Sequence, residues 1–239
     1  MIDWLRRGTA DPVIDLGAAT LPVAIKRHPR AKRLTLRLAP DGSEVRVTMP
    51  RWCAAQEGLR FAESRADWLA AQLAKVPQEE VIADGTRMPL GDADLVVAWD
   101  SARPRKPVRE GNVLHVGGPE DGLHGRVLRW LEAEAMRLFT SDLEHYAAKA
   151  DLPLPTLALS RARKRWGSCS GKACIRLNWR LVMAPAEVRR SVVAHEVAHL
   201  LHFDHSPAFH AALARIFDGD LPAADKWLKQ SGRSLYRFG

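Results

Sequence analysis

The segment VVAHEVAHLL, from Val192 to Leu201, carries the strongest pattern in the sequence. Its two histidines, His195 and His199, stand four residues apart, which in a helix means about 6 Å along the axis and about 40° around it. Both imidazoles can then reach one metal ion, while Glu196 points off their shared face. The remaining residues are apolar and predict a buried helix, where unpartnered imidazoles and a carboxylate are costly. The stretch therefore predicts a metal centre.

The order His195-Glu196-x-x-His199 is the HExxH arrangement. In this arrangement two histidines bind zinc, and the glutamate acts as general base toward a water molecule that the metal activates. Imidazole ligands favour zinc (Zn²⁺) over magnesium, which prefers oxygen ligands. The sequence thus predicts a zinc-dependent hydrolase with Glu196 as its catalytic base.

Three histidines behind the motif are candidates for a third ligand: His202, His205 and His210. If the helix continued, His202 would lie about 10 Å along the axis from the first histidine, too far for Zn–N bonds of roughly 2.0–2.1 Å. Ser206 and Pro207 instead predict that a new helix begins, because serine is a good N-cap and proline a good first residue. This turn can bring His205 back toward the metal. His210 falls inside the new helix and is interpreted as a surface or outer-shell residue.

Several further motifs accompany the histidines: Arg165–Ser170 (RWGSCS), Ile175–Leu181 (IRLNWRL), Pro185, Val193–Leu200 and His205–Phe209 (HSPAF). Together they resemble the YgjP-like metallopeptidase family and, more distantly, the SprT and WLM metalloproteases. The resemblance implies a zincin-like carboxy-terminal part in which the HExxH helix is the active-site helix and packs on a sheet. It also implies zinc ligands at His195, His199 and His205, with Glu196 as base. Peptidase activity is what this family's site implies, and a nucleotide pyrophosphatase activity is attributed to one member.

The remaining patterns predict an α+β fold in two parts, a β-rich region over residues 1–120 with one helix and a metallopeptidase domain over residues 121–239. In the first part, alternating apolar residues at 34–38 and 45–49 predict a β-hairpin, and Leu21–Lys26 is expected to complete a small antiparallel sheet. A helix is expected over 54–76. Short strands follow at 81–82, 88–90, 95–99 and 113–116, with a loop at 103–109.

In the second part, apolar spacing predicts a long helix over 125–150 and strands at 156–160 and 173–182. The metal-centre helix then opens at Ala184-Pro185, where proline's missing N–H costs nothing. Trp166 and Gly167 are interpreted as a core anchor and a turn. Asn178 and Trp179 are interpreted as sheet residues, although an exposed edge there could also bind an extended peptide.

Composition and cysteine content indicate which kind of protein this is and in which compartment it folds. At 239 residues and 46% hydrophobic content, the chain can bury a core without disulfides. Cys53, Cys169 and Cys174 form no CxxC pair and leave one unpaired, which favours a reducing compartment. Cys169 is a weaker ligand candidate, because a fourth protein ligand would close the position that catalysis needs. No apolar run reaches the roughly 18 residues of a membrane span, and charges interrupt the first 15 residues, so we expect a cytoplasmic protein without a membrane partner.

The net charge of +8 and pI near 9.8 favour polyanionic partners. Basic residues form three runs, Lys26–Arg33, Arg103–Arg109 and Arg161–Arg165, which are either solvated surface or contacts for nucleic acid or nucleotide phosphate. No glycine-rich phosphate loop accompanies them.

The favoured interpretation is a zinc metallopeptidase acting on peptides or unfolded proteins. One alternative is the same metal site acting on a nucleoside triphosphate such as UTP, with the basic runs holding phosphates. Another is a DNA-associated protein whose metal is structural, or whose protease action is confined to DNA-bound proteins. The sequence leaves the oligomeric state open.

Overall fold

A computed structural model describes residues 12–39, 41–76, 79–163 and 165–239. The chain forms two compact units, Met1–Pro77 and Gln78–Gly239. The boundary that the sequence placed near residue 120 falls inside the second unit. The physical reason is a shared core, since Leu95 and Leu114 from the strands before that point are buried in one cluster with Leu131 and Phe139 from the long helix after it.

The first unit contains a four-stranded sheet in the order β1-β2-β4-β3: β1 Val13–Asp15, β2 Thr20–Arg27, β3 Thr35–Leu38 and β4 Val45–Met49. The predicted hairpin is confirmed, because β3 and β4 pair antiparallel with Thr35 opposite Thr48. The expectation of a purely antiparallel sheet is wrong, because β2 pairs parallel to β4. This register sets Val23 beside Val45 on the buried face, and the sheet is therefore mixed.

Two helices, α1 Ala55–Glu63 and α2 Ala66–Leu73, replace the single helix expected over 54–76. The helix breaks at Arg65, whose φ of −119° and ψ of 20° are not helical. Ala62 before the break and Leu69 after it are both fully buried and belong to the same apolar cluster as Val45 of the sheet. Both helices thus contribute to one small core.

The second unit begins with a sheet in the order β5-β6-β8-β7: β5 Arg87–Leu90, β6 Ala93–Trp99, β7 Val108–Glu110 and β8 Val113–Val116. Three predicted strands are confirmed, but two assignments are wrong. Residues 81–82 form no strand, because the backbone N–H of Ile82 donates instead to Nδ1 of His124. Conversely, β7 lies partly within the expected loop, since the turn at Gly111, with φ of +58°, pairs it with β8.

A third sheet, in the order β10-β11-β9, follows the long helix α3 Leu123–Lys149: β9 Thr156–Ser160, β10 Gly167–Ser170 and β11 Cys174–Asn178. Strand β11 ends earlier than expected, because Oδ1 of Asn178 accepts the N–H of Arg180 and caps a short 3-10 turn over Trp179–Met183.

The chain ends in three helices and a final 3-10 turn: α4 Ala186–Leu201, α5 Pro207–Ile216, α6 Leu221–Ser231 and Gly232–Arg237. The α+β class is confirmed, with six α-helices and three small mixed sheets among the described residues. Helix α4 packs against β10 and β11 and against α3, α5 and α6. In the described part of the chain, no helix is both long and apolar enough to cross a membrane.

Candidate metal centre

The turn between α4 and α5 places the third histidine. Helix α4 ends at Leu201, because His202 has an extended conformation with φ of −141° and ψ of 113°. Ser206 then caps α5, its side chain accepting the N–H of Phe209. The predicted helix end and restart are both confirmed. As a result, Nε2 of His205 lies 3.2 Å from Nε2 of His195.

His195, His199 and His205 form a cluster in which one nitrogen from each ring lies within 4.8 Å of the others. Nitrogens bound to one zinc ion at roughly 2.0–2.1 Å are separated by about 3.3–3.4 Å in a tetrahedral site. The 3.2 Å between His195 and His205 matches this separation, and the third nitrogen lies within 4.8 Å of both. Three imidazoles without a carboxylate are a donor set suited to zinc. The residues present therefore fit a zinc ion, and the assignment of this metal stays a proposal.

The orientation of the His199 ring is fixed by a backbone group. Its Nδ1 lies 3.1 Å from the carbonyl oxygen of His202, which can only accept, so Nδ1 donates and Nε2 is the nitrogen left to ligate a metal when the ring is neutral. Hydrogen bonds of this kind hold the ligating nitrogen of a histidine toward a metal. His202 thus contributes through its main chain.

A buried phenylalanine, Phe209 in the first turn of α5, packs against all three rings. Its ring centroid lies 5.0, 4.6 and 4.9 Å from those of His195, His199 and His205, respectively. The Phe209 side chain is fully buried. No local sequence signal predicts this contact of Phe209 with the three rings, although its position three residues after the Ser206 cap points it back toward the turn.

Glu196 is only 6% exposed and lies on the buried side of α4. Burial raises the pKa of its carboxyl to about 7, against a smaller lowering by the positive charge of Arg165. Burial, together with the neighbouring histidines, lowers the pKa of His195 to about 4. The imidazole of His195 is therefore neutral at pH 7, which is the form that binds a metal.

Gly167 has a function that its interpretation as a turn residue missed. It lies in β10 directly against Glu196, and a Cβ added there would come within 2.7 Å of both Cγ and Cδ of that side chain. Glycine within a strand often marks such a close approach. The adjacent Trp166 packs against Tyr236, with 5.5 Å between the ring centroids. Gly167 thus leaves the space that the carboxylate occupies.

We expect Gly167→Ala to lower hydrolytic activity by at least about 10-fold while zinc content stays unchanged. The added methyl group displaces Glu196 and leaves the histidine cluster intact. Small displacements of a catalytic group strongly lower the reaction rate. Paired assays of turnover and metal content measure both effects. Gly171→Ala is the matched control, because a Cβ there meets no atom within 4 Å. Equal activity of the two variants would contradict this role.

A cavity of about 640 Å³ opens beside the cluster. His195 and Glu196 line one side of it, and the exposed His210 lies on its wall. Its remaining lining is mostly apolar: Trp166, Val192, Leu213, Leu221, Pro222 and Leu228. Cys169 is not part of the described histidine cluster, and burial raises the pKa of its thiol.

Three imidazoles beside a buried carboxylate at the wall of a cavity are the residues expected of a metal-dependent hydrolase. The model of the family described as YgjP-like, metallopeptidase domain matches residues 32–231 of the 239-residue chain. The chain therefore belongs to the YgjP-like family. Searches of curated proteins and of solved structures find no match.

Proposed function

We propose that this protein is a zinc-dependent metallopeptidase. The observation that carries the proposal is the convergence of His195, His199 and His205 beside Glu196, at the side of an apolar cavity. Family membership supports the broader class of metal-dependent hydrolase. The geometry supports the roles that we propose for individual residues and the kind of substrate that we propose.

The three imidazoles would hold the ion, which when bound supplies a Lewis acid and lowers the pKa of a water molecule. Glu196 acts as the general base, its carboxylate oxygen taking a proton from the attacking water and returning it to the leaving amine. Gly167 keeps that carboxylate in place.

The lining of the cavity favours a peptide over a nucleotide. The cavity carries two carboxylates, Glu196 and Asp225, and no Lys or Arg side chain among the residues that the structure describes. A triphosphate would find no Lys or Arg to contact among these lining residues, whereas an apolar side chain beside the scissile bond would bury its surface against Leu213 and Leu221. The substrate class is therefore polypeptide with a large apolar residue flanking the cut.

The test compares substrates on the zinc-loaded protein. We expect cleavage of an unfolded protein, with Leu, Phe or Met enriched at one position next to the cut, and no hydrolysis of UTP. Mass spectrometry of the products reads the cut sites. Leu221→Trp, which reduces the cavity, is expected to weaken selection of large side chains by about 10-fold, in the range of pocket discrimination.

The same assay with a DNA-bound protein as substrate tests the remaining alternative, in which proteolysis is confined to DNA-bound proteins. UTP hydrolysis that disappears in Glu196→Gln, without peptide cleavage in the wild type, would overturn the proposal in favour of a pyrophosphatase.

A further inference from the structure

One end of the sheet in the first unit collects basic side chains. Strands β2 and β4 are parallel and finish at the same end, and antiparallel β3 begins there. Six cationic side chains lie in or beside the connections at this end, and all are exposed: Lys26, Arg27, Arg30, Lys32, Arg33 and Arg51. We refer to these six residues together with Trp52 as the basic end.

Hydrogen bonds hold the two connections of the basic end together. The N–H of His28 donates to the carbonyl oxygen of Met49 over 2.9 Å. Nε of Arg27 donates to the carbonyl oxygen of Cys53, which follows β4. The N–H of Arg30 donates to Nδ1 of His28. The cations therefore belong to one continuous surface.

Negative charge lies at the opposite end of the sheet. The sequence holds no acidic residue between Asp15 and Asp41. Asp15, Asp41 and Glu44 lie where β2 and β4 begin and β3 ends, and Glu44 pairs with Arg46. None of the six cations forms an ion pair with a described carboxylate. Glu57 lies beside this end, where its carboxylate accepts a hydrogen bond from the Cys53 thiol, but one carboxylate against six cations leaves the basic end with a net positive charge.

An exposed indole completes this surface. Trp52 follows Arg51 in the connection after β4, and its side chain is 80% exposed, whereas the next residue, Cys53, is buried. Exposed aromatic rings beside cations are the combination with which proteins bind single strands, because bases stack on the ring while cations contact the phosphates. A duplex keeps its bases stacked internally and offers the indole no such face.

We propose that the basic end binds single-stranded nucleic acid, with phosphates on its cations and one base stacked on Trp52. This binding is independent of the proposed peptidase activity, since every residue involved lies in the first unit. DNA and RNA share the chemistry invoked, and separate probes distinguish them.

The test uses the full-length protein and fluorescently labelled oligo-dT and oligo-U in anisotropy titrations. We expect binding at low salt, with an affinity that falls steeply as salt rises, by a logarithmic slope of about 0.7 per phosphate contacted. Trp52→Ala should lower affinity by about 5- to 150-fold, the range for loss of one stacked base. Trp68→Ala is the matched control, because Trp68 is also exposed and lies on α2 of the same unit. It should leave the affinity unchanged.

A second pair of variants tests the location of the charge. Replacing Arg30, Lys32 and Arg51 by Gln should lower affinity by at least about 10-fold and reduce the salt slope. Replacing three exposed cations outside the basic end by Gln removes the same charge: Arg60, Arg65 and Lys75. The proposal is overturned by absence of binding at low salt, by equal losses in the two triple variants, by unchanged affinity in Trp52→Ala, or by tighter binding to phosphatidylserine vesicles than to either oligonucleotide.

Discussion

Glu196→Gln is expected to retain zinc and to lose hydrolysis by about 10²- to 10⁴-fold, the contribution typical of a general base. Glutamine has the same size and shape as glutamate, so it fits the space beside Gly167 that a Cβ would otherwise fill. Its amide cannot accept a proton from water. Because the three imidazoles are separate from this side chain, the metal stays bound.

The measurement is the rate of peptide cleavage at equal zinc content. Glu187→Gln is the matched control, since Glu187 lies in the first turn of the same helix and its carboxylate accepts the N–H of Asp220. It should keep wild-type activity. Turnover that is unchanged in Glu196→Gln would remove Glu196 from the mechanism.

The parts of the site predicted from the sequence depend on local rules. Helix periodicity places His195 and His199 on one face, and the Ser206-Pro207 pair marks where a second helix begins. Both signals depend on residues only a few positions apart. The structure confirms them and adds the 3.2 Å approach of His205 to His195 that the turn makes geometrically feasible.

The features that the sequence missed depend on contacts between distant residues. Gly167 meets Glu196 across 29 positions, and nothing near the glycine indicates that its missing side chain makes room for a carboxylate. The parallel pairing likewise joins β2 to β4, two strands that are separated in sequence by β3. The alternation of apolar residues could not predict it, because that pattern is the same in parallel and antiparallel sheets. That pairing brings the cations of the basic end together.

His205→Ala is expected to lower zinc affinity by more than about 100-fold, beyond the 10- to 100-fold cost of losing an outer-shell partner. Removing this ring takes away one of three nitrogens in the cluster. His202→Ala should retain zinc, because its contribution is a main-chain carbonyl that alanine also provides. His210→Ala should retain zinc as well, because His210 is exposed on α5 and outside the cluster.

Elemental analysis of these proteins tests the metal centre most directly. Wild type, His205→Ala, His202→Ala and His210→Ala are stripped with a chelator, reloaded with one equivalent of zinc and dialysed at neutral pH. We predict about one zinc per chain in all except His205→Ala, as expected for a site with three protein ligands. Zinc lost from His202→Ala but kept in His205→Ala, or a wild type that binds no zinc, would contradict the account.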